Sequence, residues 1–215
     1  MRLENRRTAG RELAEKLAHY AGRDDVVVLA LPRGGVPVAF EVARALDAPL
    51  DVFVVRKLGV PGHDELAMGA IAAGGVSVLS EDLIRELGVT RREVSDAIMR
   101  EQGELDRREH AYRAGPPADV RGKTVVLVDD GFATGSTMRA AIVALRRLGA
   151  ACIVAAAPVG ARETCDALSA HADEVVCAHR PAPFVGVGEW YDDFDQTTDE
   201  EVRALLSAGS VRVHG

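Results

Sequence analysis

Short apolar segments alternate with segments of helical periodicity along this 215-residue chain, and that alternation limits its fold more than any other feature. The apolar segments span residues 26–31, 124–128, 152–157 and 174–178. Such segments are typical of strands that are covered on both faces of a parallel sheet. Strand–helix alternation with short connections predicts right-handed crossovers. We therefore predict an α/β fold with three layers, α/β/α, around a mainly parallel central sheet.

Other segments are expected to extend this sheet or to pack outside it. A further strand is predicted at residues 51–55, and a hairpin through residues 66–79. Residues 80–114 carry only a narrow apolar stripe and many charges, which predicts a protruding helical arm. Such an arm either covers a binding site, pairs with a second subunit, or is a solvated surface helix. The chain, residues 1–215, is interpreted as a single domain.

The composition argues against some classes of protein. Lys and Arg number 26 against 33 Asp and Glu, so the formal net charge is −7. A sequence-independent nucleic-acid binder needs a basic face, so we expect no nucleic-acid partner. No apolar segment reaches membrane-spanning length and no apolar signal core follows Met1, so we expect no membrane partner and a cytoplasmic protein. The three cysteines form neither a metal-ligand pattern nor a disulfide framework.

The strongest functional signal is the sequence VVLVDDGFATGSTM at residues 125–138. An apolar strand leads into two carboxylates, then into a loop of small and hydroxyl-bearing residues, and then into a helix. Ligands of open α/β sheets bind where strands end and helices begin, and the N–H groups at a helix N-terminus favour an anion. The glycines allow the backbone to approach a phosphate closely. Because no lysine follows Gly135, this is not a Walker loop, and a nucleotide triphosphatase is disfavoured.

Asp129 and Asp130 indicate which anion binds. Two adjacent carboxylates beside an anion site repel each other. Their placement is favourable if the ligand also carries vicinal hydroxyls, which donate to the carboxylates. A magnesium ion, which prefers hard oxygen ligands, would balance the charge. A solvated pair of aspartates at a strand end is the structural alternative.

Residues 125–137 resemble the phosphoribosyl pyrophosphate loop of the type I phosphoribosyltransferase family. The resemblance implies that Asp129 and Asp130 face the ribose 2- and 3-hydroxyls as catalytic residues and as ligands of Mg²⁺. It also implies the fold of that family, with a small C-terminal hood at about residues 180–195. The 5-phosphate would be held by the residues that follow the two acids: Gly131, Ala133, Thr134, Gly135, Ser136 and Thr137.

The turn at residues 31–35 resembles the pyrophosphate loop of the same family. In that loop the backbone often carries a cis peptide between residues other than proline, a rare feature that usually signals function. The resemblance therefore implies a cis peptide between Pro32 and Arg33. The residues implied to contact pyrophosphate here are Arg33, Gly34 and Gly35.

Arg56 and Lys57, at the end of the predicted strand at residues 51–55, resemble the basic pair with which adenine phosphoribosyltransferases contact pyrophosphate. Ala133 also matches the adenine-type enzymes, because 6-oxopurine enzymes carry an aspartate at this place. The loop glutamate of the adenine-type enzymes has no clear match. The candidates for the proton carrier in its place are Glu65, with His63 and Asp64 beside it.

Residues 184–194 weakly resemble the hood that cups the base in this family. The resemblance implies that Phe184 or Trp190 stacks on a heterocycle. It also implies that Asp192 or Asp193 contacts a second magnesium ion. Plain packing of the aromatic side chains is the structural alternative.

Together these resemblances imply a Mg²⁺-dependent transfer of a phosphoribosyl group from phosphoribosyl pyrophosphate to a small heterocyclic, nucleobase-like acceptor. Two alternatives stay open. One is a non-catalytic regulator that senses phosphoribosyl pyrophosphate, which the acidic net charge counts against. The other is a partner domain with a vestigial site, which the two retained aspartates count against. We also expect a homodimer, in a branch of the family distinct from the short enzymes of purine salvage.

Overall fold

A computed structural model describes residues 2–113 and 115–210, apart from the side chains of Asp64, Glu65 and Ser210. Its central sheet has five strands in the order β2-β1-β6-β7-β8, and all four neighbouring pairs are parallel. The predicted parallel sheet is thereby confirmed. The strands are β1 (Val26–Ala30), β2 (Leu50–Val52), β6 (Thr124–Val128), β7 (Cys152–Val159) and β8 (Glu174–His179).

Seven α-helices occur in the part of the chain that the structure describes, with 3-10 turns at Ala18–Tyr20 and Gly188–Trp190. Three of them directly connect two strands of the central sheet, as the alternation of the sequence predicts. The helices are α1 (Arg6–Lys16), α2 (Gly35–Leu46), α3 (Glu81–Glu86), α4 (Arg91–Tyr112), α5 (Ser136–Arg147), α6 (Arg162–Leu168) and α7 (Asp199–Ser210).

The two faces of the central sheet carry separate apolar clusters. In β6, Val126 and Val128 face α1, α2 and α7. Val125 and Leu127 face the opposite way, toward α5 and α6. Successive residues of a strand point to opposite faces, so a wholly apolar strand must be covered on both sides. The predicted three-layer α/β/α arrangement is therefore confirmed.

A second, antiparallel sheet of three strands lies outside the central one, in the order β3-β4-β5. Its strands are β3 (Val55–Val60), β4 (His63–Ala72) and β5 (Val76–Leu79). The predicted hairpin is confirmed, and its turn contains Gly74 and Gly75, whose φ angles are +81° and +74°. Positive φ angles of this size strongly favour glycine.

The predicted strand at residues 51–55 is wrong in one respect. The chain leaves the central sheet after Val52, and β3 begins at Val55 in the other sheet. Arg56 pairs with Ile71 of β4, so Arg56 and Lys57 lie within the antiparallel sheet and do not end a central strand. The apolar pattern continues through Phe53 and Val54, so the periodicity of the sequence carries no sign of the change of partner.

The predicted arm consists of α3 and α4, and it does not protrude. The buried side chains of Ala97, Leu105 and Tyr112 pack α4 against β3, β4 and α7. At its C-terminal end, Arg113 donates from Nε to Asp51 Oδ1 at 3.0 Å. The narrow stripe is therefore enough to attach the helix along its length, because β3 and β4 offer it an apolar surface. Pairing of two subunits through this arm stays a prediction.

The hood segment at about residues 180–195 packs on the N-terminal residues. Leu3 donates its N–H to the Trp190 carbonyl at 2.8 Å and forms a parallel bridge with Tyr191. Tyr191 and Leu3 are buried together with Ala9 and Val159. Within residues 2–113 and 115–210, no helix combines the length and the apolar character that crossing a membrane requires.

Candidate functional site

The two aspartates lie at the C-terminal end of β6, in the middle of the central sheet. Asp129 donates its N–H to the Ala156 carbonyl of β7 at 3.1 Å, which continues the strand pairing by one residue. Its side-chain Oδ1 accepts the N–H of Asp130 at 2.9 Å. Both side chains are half-buried. The local chain path therefore holds the first carboxylate against the backbone of the second.

Burial dominates the electrostatics of this pair. It raises the pKa of Asp129 well above its usual value, and the neighbouring charge of Asp130 raises it further. Burial also raises the pKa of Asp130, while the Arg6 guanidinium opposes that rise. A cation or a set of hydroxyl donors at this place would relieve both effects. The hard carboxylate oxygens match the ligands that Mg²⁺ prefers.

Arg6 is a member of this site that the sequence analysis missed. Its Nε donates to Asp130 Oδ2 at 2.9 Å, and its Nη1 donates to the Asp195 carbonyl at 2.7 Å. The guanidinium carbon lies 3.9 Å from the centre of the Phe194 ring. Arg6 and Asp130 are separated by 124 positions. No local sequence pattern connects residues so far apart.

The loop after the two aspartates is held by protein contacts at both sides. Phe132 is buried beneath it, and its N–H donates to the Val159 carbonyl at 2.9 Å. The Ala133 carbonyl accepts a hydrogen bond from Thr164 Oγ1 at 2.5 Å. Gly135 precedes α5 with a φ of +68°. The N-terminal N–H groups of a 12-residue helix therefore face the loop, as an anion site requires.

The hydroxyl-bearing residues predicted to bind phosphate lie on one short stretch of this loop. Thr134 Oγ1 and Ser136 Oγ share a hydrogen bond at 3.0 Å. Thr134 is exposed, whereas Ser136 and Thr137 are half-buried at the first turn of α5. The predicted phosphate-binding residues are therefore contiguous and accessible from solvent at Ala133 and Thr134.

The second predicted loop, which follows β1, packs directly on the aspartates. The Pro32–Arg33 peptide is cis, as predicted. A Cβ at Gly34 would lie 2.0 Å from Asp130 Oδ2, and a Cβ at Gly35 would lie 2.7 Å from the Val128 carbonyl. The structure therefore brings together two loops that stand almost a hundred positions apart in the sequence.

The basic residues predicted to contact pyrophosphate are each placed differently. Arg33 Nη1 lies 3.6 Å from Asp199 Oδ1 at the start of α7. Arg56 donates from Nε and Nη2 to Glu101 Oε2 of α4, at 2.9 and 2.7 Å. Lys57 is exposed. Both arginines thus have a carboxylate partner, and the sequence analysis missed both partners.

The hood contacts the loop through residues other than the two predicted aromatics. Tyr191 Oη donates to the Asp130 carbonyl at 2.7 Å. A Cβ at Gly131 would lie 2.5 Å from Val187 Cγ1, so Val187 packs on the loop itself. The predicted base-binding residues Phe184 and Trp190 pack half-buried around the Leu3 and Tyr191 cluster. Stacking of either ring on a base stays a prediction.

The remaining predicted metal ligands, Asp192 and Asp193, have partners other than the aspartate pair. Asp192 Oδ1 lies 3.6 Å from Arg2 Nη1, and Asp193 Oδ1 accepts the N–H of Asp195 at 3.1 Å. Among the residues that the structure describes, no group of three or more His, Cys, Asp or Glu is arranged to hold a metal ion. Glu65 lies in β4, and its side chain is outside the described residues.

Comparison with known proteins shows the family of this chain. A family model described as "Phosphoribosyl transferase domain" matches residues 2–193. The chain belongs to this family. The crystal structure of TT1426 from Thermus thermophilus is 44% identical, has a TM-score of 0.88, and covers 98% of this chain and 100% of its own. The family match therefore spans both loops and all but the last residues of the hood segment.

Two curated proteins extend the comparison of this phosphoribosyl transferase domain. A Mycobacterium tuberculosis protein, provisionally named a phosphoribosyl transferase, is 49% identical over 205 residues. That match covers 94% of this chain and 46% of the relative, so the chain spans about half the length of this relative. The Bifunctional protein PyrR of a Roseiflexus species is 32% identical over 139 residues, 64% of this chain and 55% of its own.

Proposed function

We propose that this phosphoribosyl transferase domain transfers a 5-phosphoribosyl group from phosphoribosyl pyrophosphate to a nitrogenous, nucleobase-like acceptor. The observation that carries the proposal is the contact between the two loops. Gly34 leaves no space for a side chain beside Asp130 Oδ2, so a turn suited to pyrophosphate meets a carboxylate pair suited to a diol. Phosphoribosyl pyrophosphate carries both groups on one ribose.

In the proposed reaction, an acceptor nitrogen attacks the anomeric carbon of the ribose. A C–N bond forms, the C–O bond to pyrophosphate breaks, and its electron pair leaves with pyrophosphate. Asp129 and Asp130 accept hydrogen bonds from the ribose hydroxyls and so hold the ring in place. Residues 131–137 bind the 5-phosphate through backbone N–H groups and hydroxyls. Positioning and electrostatics of this kind supply most of the catalysis in such displacements.

The leaving pyrophosphate needs positive charge. Arg33, Arg56 and Lys57 would contribute it, once the two arginines exchange their carboxylate partners for the ligand. Magnesium, when bound, would neutralise part of the pyrophosphate charge, and Asp129 and Asp130 are its proposed ligands on this chain. The proton that leaves the acceptor nitrogen needs a base, and Glu65 stays the predicted one.

The test is calorimetric titration of phosphoribosyl pyrophosphate in the presence of Mg²⁺. We expect the wild type to bind and the variant Asp129→Asn/Asp130→Asn to lose at least about a hundredfold in affinity, because hydrogen bonds to charged groups contribute about 1.5–3 kcal/mol each. The matched control is Glu81→Gln/Asp82→Asn, which removes two exposed carboxylates from α3. Equal affinity of the wild type and the aspartate variant would contradict the proposed site.

A second assay separates transfer from sensing. Wild-type protein with Mg²⁺ and phosphoribosyl pyrophosphate is offered a panel of nucleobases, and release of pyrophosphate is measured. Turnover with adenine would support the adenine-type resemblance at Ala133. Binding without turnover on any base would favour the non-catalytic regulator. Absence of wild-type binding would favour a vestigial site in a partner domain.

A further inference from the structure

Arg6 connects three parts of the molecule at the two aspartates. It lies at the start of α1, donates to Asp130 Oδ2 from Nε, and donates to the Asp195 carbonyl from Nη1. Its guanidinium lies over the Phe194 ring at 3.9 Å. Phe194 and Asp195 lie at the end of the hood segment, so one side chain joins the N-terminal helix, the carboxylate pair and the hood.

The burial of this ion pair sets Arg6 apart from its neighbours on the helix. The Arg6 side chain is 11% exposed and that of Asp130 is 16% exposed. A guanidinium leaves water at a high free-energy cost unless its donors and its face find partners. Arg11, one turn and a half further along α1, is exposed and donates to Thr8 Oγ1 within the same helix. Of these two arginines, Arg6 contacts the aspartate pair and Arg11 contacts its own helix.

These contacts restrict how the Asp130 carboxylate can turn. Arg6 engages Oδ2, and a Cβ at Gly34 would come within 2.0 Å of the same oxygen and 3.2 Å of Arg6 Nε. The backbone of Asp130 is held as well, because its N–H donates to Asp129 Oδ1 and its carbonyl accepts from Tyr191 Oη. The carboxylate itself is contacted by Arg6, by Gly34 and by the Asp129 side chain. Because Arg6 supplies its charged hydrogen bond, Arg6 is one of the groups that orient it.

We propose that Arg6 is a positioning residue that orients the Asp130 carboxylate for the hydroxyls of a ribose 5-phosphate ester. The inference rests on the proposed function, and it adds a requirement that the function alone does not contain. Arg6 contributes to the affinity for ligands that carry the ribose. It contributes nothing to the affinity for metal-free pyrophosphate, which has neither a hydroxyl nor a metal ion to offer Asp130.

The experiment compares two ligands in three variants. Affinities for phosphoribosyl pyrophosphate with Mg²⁺ and for inorganic pyrophosphate without Mg²⁺ are measured by calorimetry on the wild type, Arg6→Gln and Arg11→Gln. We expect Arg6→Gln to lower the affinity for phosphoribosyl pyrophosphate about tenfold, which corresponds to the loss of one charge-assisted hydrogen bond. We expect the affinity of Arg6→Gln for metal-free pyrophosphate to change less than about twofold, since that ligand does not engage the Asp130 carboxylate. We expect the same of both affinities of Arg11→Gln, since Arg11 donates to Thr8 Oγ1 and not to Asp130.

A second substitution guards against loss of the fold. Arg6→Lys keeps the positive charge but cannot hold Asp130 and Asp195 at once, because it lacks the planar fork of donors. For Arg6→Lys we expect an intermediate loss of affinity for phosphoribosyl pyrophosphate and no loss of affinity for pyrophosphate. Its thermal unfolding midpoint should stay close to that of the wild type. Only these selective losses support the proposal.

Three outcomes would overturn the inference. If Arg6→Gln and Arg6→Lys lower the affinity for both ligands equally, Arg6 has a general structural role. If neither variant lowers the affinity for phosphoribosyl pyrophosphate, the Asp130 carboxylate does not need Arg6 to orient it. If the wild type binds inorganic pyrophosphate but gains nothing from the attached ribose, the proposed function and the role of Arg6 fall together, whereas the first two outcomes leave the proposed function standing.

Discussion

Gly34 and Asp130 meet so closely that the turn after β1 requires a residue without a side chain. The φ angle of Gly34 is −58°, which any residue adopts, so its backbone conformation does not explain the glycine. The close contact with Asp130 explains the glycine, because a Cβ at Gly34 would lie 2.0 Å from Asp130 Oδ2 and 2.7 Å from Asp130 Cγ. Since Arg6 holds that carboxylate, it cannot easily move away.

Gly34→Ala is therefore expected to damage the site more than the fold. Forcing a methyl group into a filled space typically destabilises by about 1–3 kcal/mol, and displacement of the carboxylate should lower the affinity for phosphoribosyl pyrophosphate about tenfold or more. Calorimetric titration measures the affinity, and thermal unfolding measures the stability.

Gly103→Ala is the matched control for this substitution. Gly103 lies in α4, and a Cβ there would meet no heavy atom within 4 Å. Alanine is favoured over glycine in a helix by about 1 kcal/mol, so this variant should unfold at a higher temperature and bind as the wild type does. Unchanged binding in Gly34→Ala would show that the two loops separate when a ligand enters.

At the scale of elements, α4 and α7 supply carboxylates to the arginines predicted to bind pyrophosphate. Glu101 of α4 accepts from Arg56, and Asp199 of α7 lies beside Arg33 and accepts from Tyr112 Oη of α4 at 2.9 Å. The arm is therefore connected to the leaving-group side of the proposed site. A pyrophosphate that binds these arginines must compete with the two carboxylates.

Glu101→Gln is expected to raise the affinity for inorganic pyrophosphate with Mg²⁺. Partly exposed ion pairs contribute about 0.2–1 kcal/mol, so release of Arg56 should raise the affinity by at most about fivefold, and less in high salt. The control is Glu104→Gln on the same helix, whose partners are Arg107 and Arg108. A fall in affinity in Glu101→Gln alone would mean that Glu101 holds Arg56 ready for the ligand.

On the scale of the whole molecule, the two apolar clusters share the strands of the central sheet. Val126 and Val128 belong to one cluster and Val125 and Leu127 to the other, although all four are consecutive in β6. Neither face can lose its helices without exposing the same strands. We therefore expect one cooperative unfolding transition, as single domains usually have.

Leu127→Ala tests this coupling. Leu127 is fully buried in the central strand, so the substitution should lower the free energy of unfolding by about 2–5 kcal/mol. Far-ultraviolet circular dichroism and the fluorescence of Trp190, the single tryptophan, should report the same midpoint. Leu87→Ala, at a residue that is 41% exposed, should stay within about 0.5 kcal/mol of the wild type. Two separate midpoints in Leu127→Ala would mean that the hood unfolds independently.

Local signals were sufficient for four strands of the central sheet and indicated the candidate phosphate loop, whereas the cis peptide between Pro32 and Arg33 followed only from the family resemblance. Apolar runs predict buried strands because both faces of such a strand must leave water. The aspartate pair, the glycines and the hydroxyls stand next to each other in the chain, so their spacing alone indicates an anion site. The sequence by itself therefore determined the layers of the fold and the position of the candidate site.

Only the tertiary structure decided which distant residues complete that site. Arg6 reaches Asp130 across 124 positions, and Arg56 reaches Glu101 across 45, because helices that pack on the sheet and on its neighbouring hairpin bring them together. The sequence pattern likewise does not indicate that the chain changes sheet between Val52 and Val55. Local periodicity reports which faces are buried, whereas partners across the chain depend on the order of strands and on how the helices pack against them.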